Sequence, residues 1–256
     1  MVLTVYDMIH ELYPDLFHPT DSTLVNKPLA LARADRILCI SEHTRSDLIR
    51  FYPEVADKTS VVHLGFDARF AAPSALGRQH SRPFILYVGI RRGYKNWDGL
   101  VEAYARSCLP AEEVDLLCVG DGPFRPQEAA LLDRLGVVAK VIQREADDRE
   151  LQALYRDAVL FAYPSLYEGF GIPPLEAMAV DCPVVAVRAA SVPEVCGNAA
   201  EYGEPGDLDS LAAALERVAL SPSRAGELRA EAKRQLTKFS WERCAAENAA
   251  IYRGLV

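Results

Sequence analysis

Short apolar runs alternate with stretches of helical spacing along the whole chain. In the first part, strands are expected at Val2–Tyr6, Arg36–Ile40 and Ser60–Leu64. Helices are expected near Lys27–Arg33 and over Glu42–Phe51, the second with Ser41 as N-cap. From Asp67 to Pro83 neither period holds, and Pro and Gly appear, which predicts a linker over 68–83 between a unit at 1–67 and one at 84–238. In the second unit, strands are expected at Phe84–Gly89, Val114–Val119, Val137–Ile142, Val159–Tyr163 and Pro183–Val187. Helices are expected at Trp97–Ser107, Pro126–Leu135 and Asp148–Arg156, and from Pro174. Helices at Leu208–Leu220, Arg224–Lys238 and Trp241–Tyr252 close the chain.

Near-continuous apolar strands alternating with helices predict an α/β fold, with parallel sheets covered on both faces. In such sheets ligands bind at the carboxyl ends of the strands, beside the point where strand order reverses. Residues with chemical potential here fall in loops that follow strands.

Composition narrows the classes. Half of the 256 residues are hydrophobic and a quarter charged, as in an ordinary globular chain. A net charge of −8 disfavours nucleic acid as a partner. The six cysteines are scattered with no C-x-x-C pair or Cys/His cluster, so reduced, structural thiols are expected and a zinc site is not. No apolar run approaches the ~20 residues of a membrane span, and the start lacks the features of a signal peptide. A cytoplasmic location is expected, compatible with peripheral contact at the inner face of a membrane.

The densest chemistry lies in Pro164-Ser-Leu-Tyr-Glu168-Gly-Phe-Gly171-Ile-Pro-Pro-Leu-Glu176. A strand runs into a glycine loop, and a helix opens at the prolines. Gly169 and Gly171 let backbone approach a ligand, and a helix N-terminus presents free N–H groups to phosphate. Glu168 and Glu176 flank this anion site. A phosphate would repel them, so hydroxyl groups are their natural partners, and hydroxyls plus phosphate describe a sugar nucleotide. The same residues also fit a structural loop in which Glu176 complements the helix dipole. A second cluster, Gly89-Ile-Arg91-Arg92-Gly-Tyr-Lys95-Asn96, ends a strand with three cations in five residues. Such cations can neutralise a diphosphate leaving group, or form a solvated basic loop.

The first segment resembles the Glu-x7-Glu signature of the family 4 retaining glycosyltransferases, and Ala186–Glu194 and Ala199–Pro205 match their context. The resemblance implies a GT-B architecture: a complete C-terminal Rossmann-like domain and a partial N-terminal one, with the helix at 239–256 crossing back to the latter. It implies that Glu168 holds hydroxyls of a donor hexose and Glu176 the nucleotide ribose. Ser165, Gly169, Phe170, Gly171 and Ile172 would line the sugar and pyrophosphate. Lys95 and one of Arg91 and Arg92 would bind phosphate beside Gly89. Gly120, in Val119-Gly-Asp-Gly, would line the nucleotide cleft. Gln143 and Arg144 stand where the family usually has a glycine turn that reads the base, and without that glycine the choice of base stays open.

Thr4-Val-Tyr-Asp-Met-Ile-His resembles a strand end that carries a His-Asp pair facing the scissile bond. Tyr6 takes the His position here, Asp7 is retained and His10 lies close by. Ile40-Ser-Glu-His-Thr-Arg45 resembles a strand end that lines the cleft, and His63–Asp67 the lead into the linker. The catalytic set implied is Glu168, Lys95, Arg92 and Asp7, with no metal and no cofactor beyond the nucleoside-diphosphate sugar. GDP-mannose is the first candidate donor, and a glycan or lipid-linked saccharide the acceptor.

Full-length members have two domains of similar size. About 65 residues precede the linker here, where roughly 150 would complete a domain. A truncated chain is expected. The alternatives are a natural half whose open edge is covered by a partner chain or a second copy, and a minimal enzyme with an open acceptor side. In function, a non-catalytic sugar-nucleotide-binding subunit, and a hydrolase or epimerase on the same fold, stand as rivals to the transferase.

Overall fold

A computed structural model describes residues 1–67, 70 and 76–255. Part of the expected linker, at 68, 69 and 71–75, lies outside the described residues.

The strands form two parallel sheets. The smaller has the order β1-β2-β3, from β1 (Val2–Val5), β2 (Arg36–Cys39) and β3 (Thr59–Val61). The larger has the order β6-β5-β4-β7-β8-β9. Its strands are β4 (Phe84–Val88), β5 (Asp115–Val119), β6 (Val141–Arg144), β7 (Leu160–Tyr163), β8 (Val184–Val187) and β9 (Ala200–Gly203). This is the doubly wound arrangement, with strand order reversing where β4 lies between β5 and β7. Strands β5, β7 and β8 are buried along their whole length, so both faces are apolar and the sequence shows runs instead of alternation.

Helices α1 (Ile9–Leu12), α2 (Thr23–Arg33) and α3 (Glu42–Phe51) serve the small sheet. Those of the large sheet are α4 (Trp97–Arg106), α5 (Pro126–Arg134), α6 (Asp148–Asp157), α7 (Ile172–Ala179), α8 (Val192–Cys196), α9 (Leu208–Ala219) and α10 (Pro222–Leu236). Their starts are written locally. Ser41 accepts from the Thr44 N–H, Asp147 and Glu150 form a capping box, and Asp207 accepts from the Ser210 N–H.

Several elements depart from the sequence expectation. Helix α2 begins four residues before Lys27, and α7 opens at Ile172, not Pro174. Strand β6 starts at Val141; the stretch from Val137 is a turn, and Val138 faces solvent. Elements α8 and β9 were not anticipated, because one is a single turn and the other, Ala-Glu-Tyr-Gly, is an edge strand without an apolar run.

The last helix, α11 (Trp241–Arg253), returns to the small sheet. Cys244 is buried with Leu38 and Val62, and Ile251 packs alongside. Gly65 lies so close to the Trp241 backbone that a β-carbon there would collide with it. All six cysteines are free; burial pushes the Cys39, Cys118 and Cys196 thiols up to about 12, so they stay protonated. No described helix is long and apolar enough to cross a membrane.

Candidate functional site

The loops after β4 and β7 stand side by side at the reversal of strand order. They are tied to each other: the Leu166 N–H donates to the Tyr94 carbonyl at 2.7 Å, and the Asn96 side-chain amide donates to the Pro164 carbonyl at 3.1 Å. Asn96 adopts a left-handed conformation, closing the turn Gly93–Lys95 directly onto α4. The joint result places Lys95 Nζ 2.7 Å from Glu168 Oε1, with both side chains largely screened from water.

The loop bearing Glu168 is fixed from below. The Ser191 hydroxyl is fully buried, 2.8 Å from the Glu168 carbonyl and 2.7 Å from that of Phe170, and it donates to this pair. Gly171, at φ 124°, turns the chain into α7, whose first residues Ile172, Pro173 and Pro174 leave the helix N-terminus facing the loop. Ser165 and Phe170 are buried in the loop, and Glu176 sits half-buried in the second turn of α7. Burial, with the charges of Asp67 and Asp148, raises the Glu176 carboxyl from its ordinary 4.5 to about 7.

The three cations of the first loop are placed very differently. Arg91 is 2% exposed; its guanidinium donates to the carbonyls of Gly120, Gly122 and Pro123 and meets Glu128 at 3.2 Å. It packs over the adjacent rings of Trp97 and Phe124. Arg91 therefore braces the 120–123 turn. Arg92 is exposed, and Lys95 pairs with Glu168. Gly120 and Gly89 both have positive φ and face each other across neighbouring strand ends, where a β-carbon on Gly120 would press on the Gly89 carbonyl. Arg144 donates to the Gln79 carbonyl and side chain, and Gln143 beside it has a buried amide nitrogen without a partner among the described residues.

The small sheet meets this site with the segments that follow β1 and β2. Thr44 Oγ1 donates to the Gly169 carbonyl at 3.1 Å, and Gly169 abuts the Tyr6 carbonyl and the Asp7 side chain. Asp7 Oδ1 accepts from the Ile9 N–H, starting α1, while Tyr6 projects into solvent. His10 stacks on Phe17 and lies 3.4 Å from Asp21.

Three residues that sequence reasoning left without a role support this arrangement, and two of them, Tyr167 and Glu194, hold the two sheets together. Tyr167 is buried against the small sheet, its hydroxyl donating to Asp47 at 3.0 Å and accepting from the Met8 N–H at 3.2 Å. Ser191 fixes the Glu168 loop as described. Glu194 accepts from the N–H groups of Glu42 and His43 at 2.9 and 3.2 Å, and its Oε1 lies 2.6 Å from His63 Nε2. Tyr167 and Glu194 stand inside the stretches that carried the resemblance, but their partners are more than 100 positions away, which no local pattern reports.

The architecture and sequence agree with known proteins. Residues 69–237 match the family model for glycosyl transferases group 1. The chain is 30% identical over 268 residues to O-antigen chain mannosyltransferase B of Escherichia coli, covering 98% of this chain and 70% of that protein. It is 32% identical over 222 residues to the MMP alpha-(1->4)-mannosyltransferase of Mycolicibacterium hassiacum, covering 84% of this chain and 53% of that one. The fold resembles that of a glycosyltransferase from Rickettsia africae ESF-5, with TM-score 0.77, 20% identity, and 99% and 70% of the two chains covered. It also resembles that of sucrose-phosphate synthase from Thermosynechococcus elongatus, with TM-score 0.79, 24% identity, and 99% and 67% covered. The chain thus spans 70% of the first of these curated relatives and about half of the second.

Proposed function

This chain belongs to the group 1 glycosyl transferases, and we propose that it serves the transfer of a hexose from a nucleoside-diphosphate sugar to a hydroxyl of a glycan or lipid-linked acceptor. The observation that carries this reading is the pairing of two loops at the reversal of strand order. One brings Lys95 and Arg92, the other brings Glu168, a glycine backbone and a helix N-terminus. Cations and N–H groups suit a diphosphate, and a carboxylate beside them suits sugar hydroxyls.

In the proposed reaction the acceptor oxygen bonds to the anomeric carbon as the bond from that carbon to the diphosphate oxygen breaks. Attack comes from the face the diphosphate leaves, so the configuration is retained, and the acceptor proton passes to the departing phosphate. Lys95 and Arg92 take up the charge that develops on the leaving group. Glu168 orients the hexose, and the N–H groups of Gly169–Gly171 face sugar and pyrophosphate. Glu176 accepts from the ribose hydroxyls. Asp7, at the end of β1, faces the cleft from the acceptor side. Arg91 acts indirectly, by holding the 120–123 turn beside Gly89.

Several relatives are named as mannosyltransferases, which makes GDP-mannose the first donor to test. Calorimetric titration with GDP, UDP, ADP and GDP-mannose tests the reading, repeated on Glu176→Ala and Lys95→Ala. Micromolar binding of one nucleotide, lost in both variants, is expected. A folded chain that binds none of them would overturn it.

A further inference from the structure

We propose that Glu168 is a latch on Lys95 that distinguishes an intact sugar nucleotide from the spent nucleoside diphosphate, an inference that rests on the donor site proposed above. The 2.7 Å pair is not a loose surface contact. Lys95 ends a turn closed by the Lys95 N–H to Arg92 carbonyl bond, and that turn is tied to the facing loop through Tyr94 and Asn96. Glu168 rides on a loop held by Ser191 and, through Gly169, by Thr44. Both partners are therefore mounted on mutually bonded backbone, and the pair is made at 2.7 Å.

A charge-assisted bond in a screened site is strong, and removing one partner leaves the other uncompensated at a cost larger than the pair's own net worth. A diphosphate that draws Lys95 away gives Glu168 nothing in return and sets a second negative charge beside it. A diphosphate bearing a hexose supplies hydroxyl donors to Glu168 at the same moment that its phosphates take Lys95, so both halves of the broken pair are satisfied. After transfer the hexose leaves with the acceptor. Glu168 then loses its hydroxyl partners and recaptures Lys95, and the hold on the diphosphate weakens. The carboxylate that orients the sugar thereby also drives release of the product.

The test is titration of the whole chain and its Glu168→Gln variant with GDP, UDP and ADP, then with the sugar nucleotide of whichever binds. The variant is isosteric, and its circular dichroism melt checks that it folds. Loss of the charge is expected to tighten the bare diphosphate by about tenfold while weakening the sugar nucleotide, reversing their order. Lys95→Met, alone and combined with Glu168→Gln, closes a cycle in which the gain for the diphosphate vanishes once Lys95 is gone. Unchanged or weaker diphosphate binding in Glu168→Gln would overturn the latch and leave the donor site standing. Absence of nucleotide binding by the unaltered chain would overturn both.

Discussion

The carbonyl oxygen of Tyr6 occupies the space a β-carbon on Gly169 would need. Here the strand end of one sheet touches the signature loop of the other with nothing between them. Gly169 has no unusual φ, so its requirement is space alone. Gly169→Ala must push the sheets apart or bend the loop that carries Glu168. The expected result is a loss of about 1–3 kcal/mol in stability, as for other overpacked sites, with a larger fall in turnover. Denaturant unfolding and a donor-consumption assay check this; a variant with native stability would mean that the loop yields freely.

Replacing Lys95 removes the charge assigned to the leaving group and strips Glu168 of its ion-pair partner. Lys95→Ala is expected to lower kcat about 10²–10³-fold, the usual scale for one electrostatic contact to a developing charge. Arg91→Lys is expected to act otherwise. A lysine cannot span the three carbonyls and Glu128, so stability falls first and donor affinity follows as the 120–123 turn loosens. Melting curves beside titrations separate the two patterns.

Glu176 carries a pH signature. Burial first, and then the charges of Asp67 and Asp148, raise its carboxyl from 4.5 to about 7. The folded state thus holds a proton that the unfolded chain has released between these values. The stability it contributes is present at low pH and is lost as pH rises from 4.5 through 7. Glu176→Gln is expected to raise Tm relative to the unaltered chain at pH 8 and to leave it unchanged at pH 4. Donor affinity is expected to rise through pH 7, as the carboxylate becomes a full acceptor for hydroxyls.

Glu194 has the opposite sign. Burial pushes its carboxyl up, but the hydrogen bond with His63 and those from the Glu42 and His43 N–H groups outweigh it, and the net direction is down. Its contribution is present above the ordinary carboxylate range and is lost as pH falls through the lowered value. Glu194→Ala leaves the start of α3 without this partner. A loss of about 1–3 kcal/mol is expected at pH 7, shrinking in acid, as read by urea unfolding across pH.

The large sheet was legible in the sequence because burial on both faces leaves uninterrupted apolar runs, as at Leu160–Tyr163 and Val184–Val187. The two loops at the strand-order reversal were legible because glycines, prolines and charges break those runs abruptly. What could not be read is which way a side chain turns. Arg91 and Arg92 are adjacent and identical, and only the approach of the 120–123 turn and the rings of Trp97 and Phe124 buries one and leaves the other in water. One edge strand was lost for a related reason: β9 needs no apolar run, since one of its sides has no strand to pair with.

The return of α11 to the small sheet makes the chain pass between the two sheets twice, and the passages lie side by side, with Gly65 against the backbone of Trp241. Cutting the backbone at either passage would therefore leave the two sheets linked through the other, with the Tyr167, Thr44 and Glu194 contacts still between them.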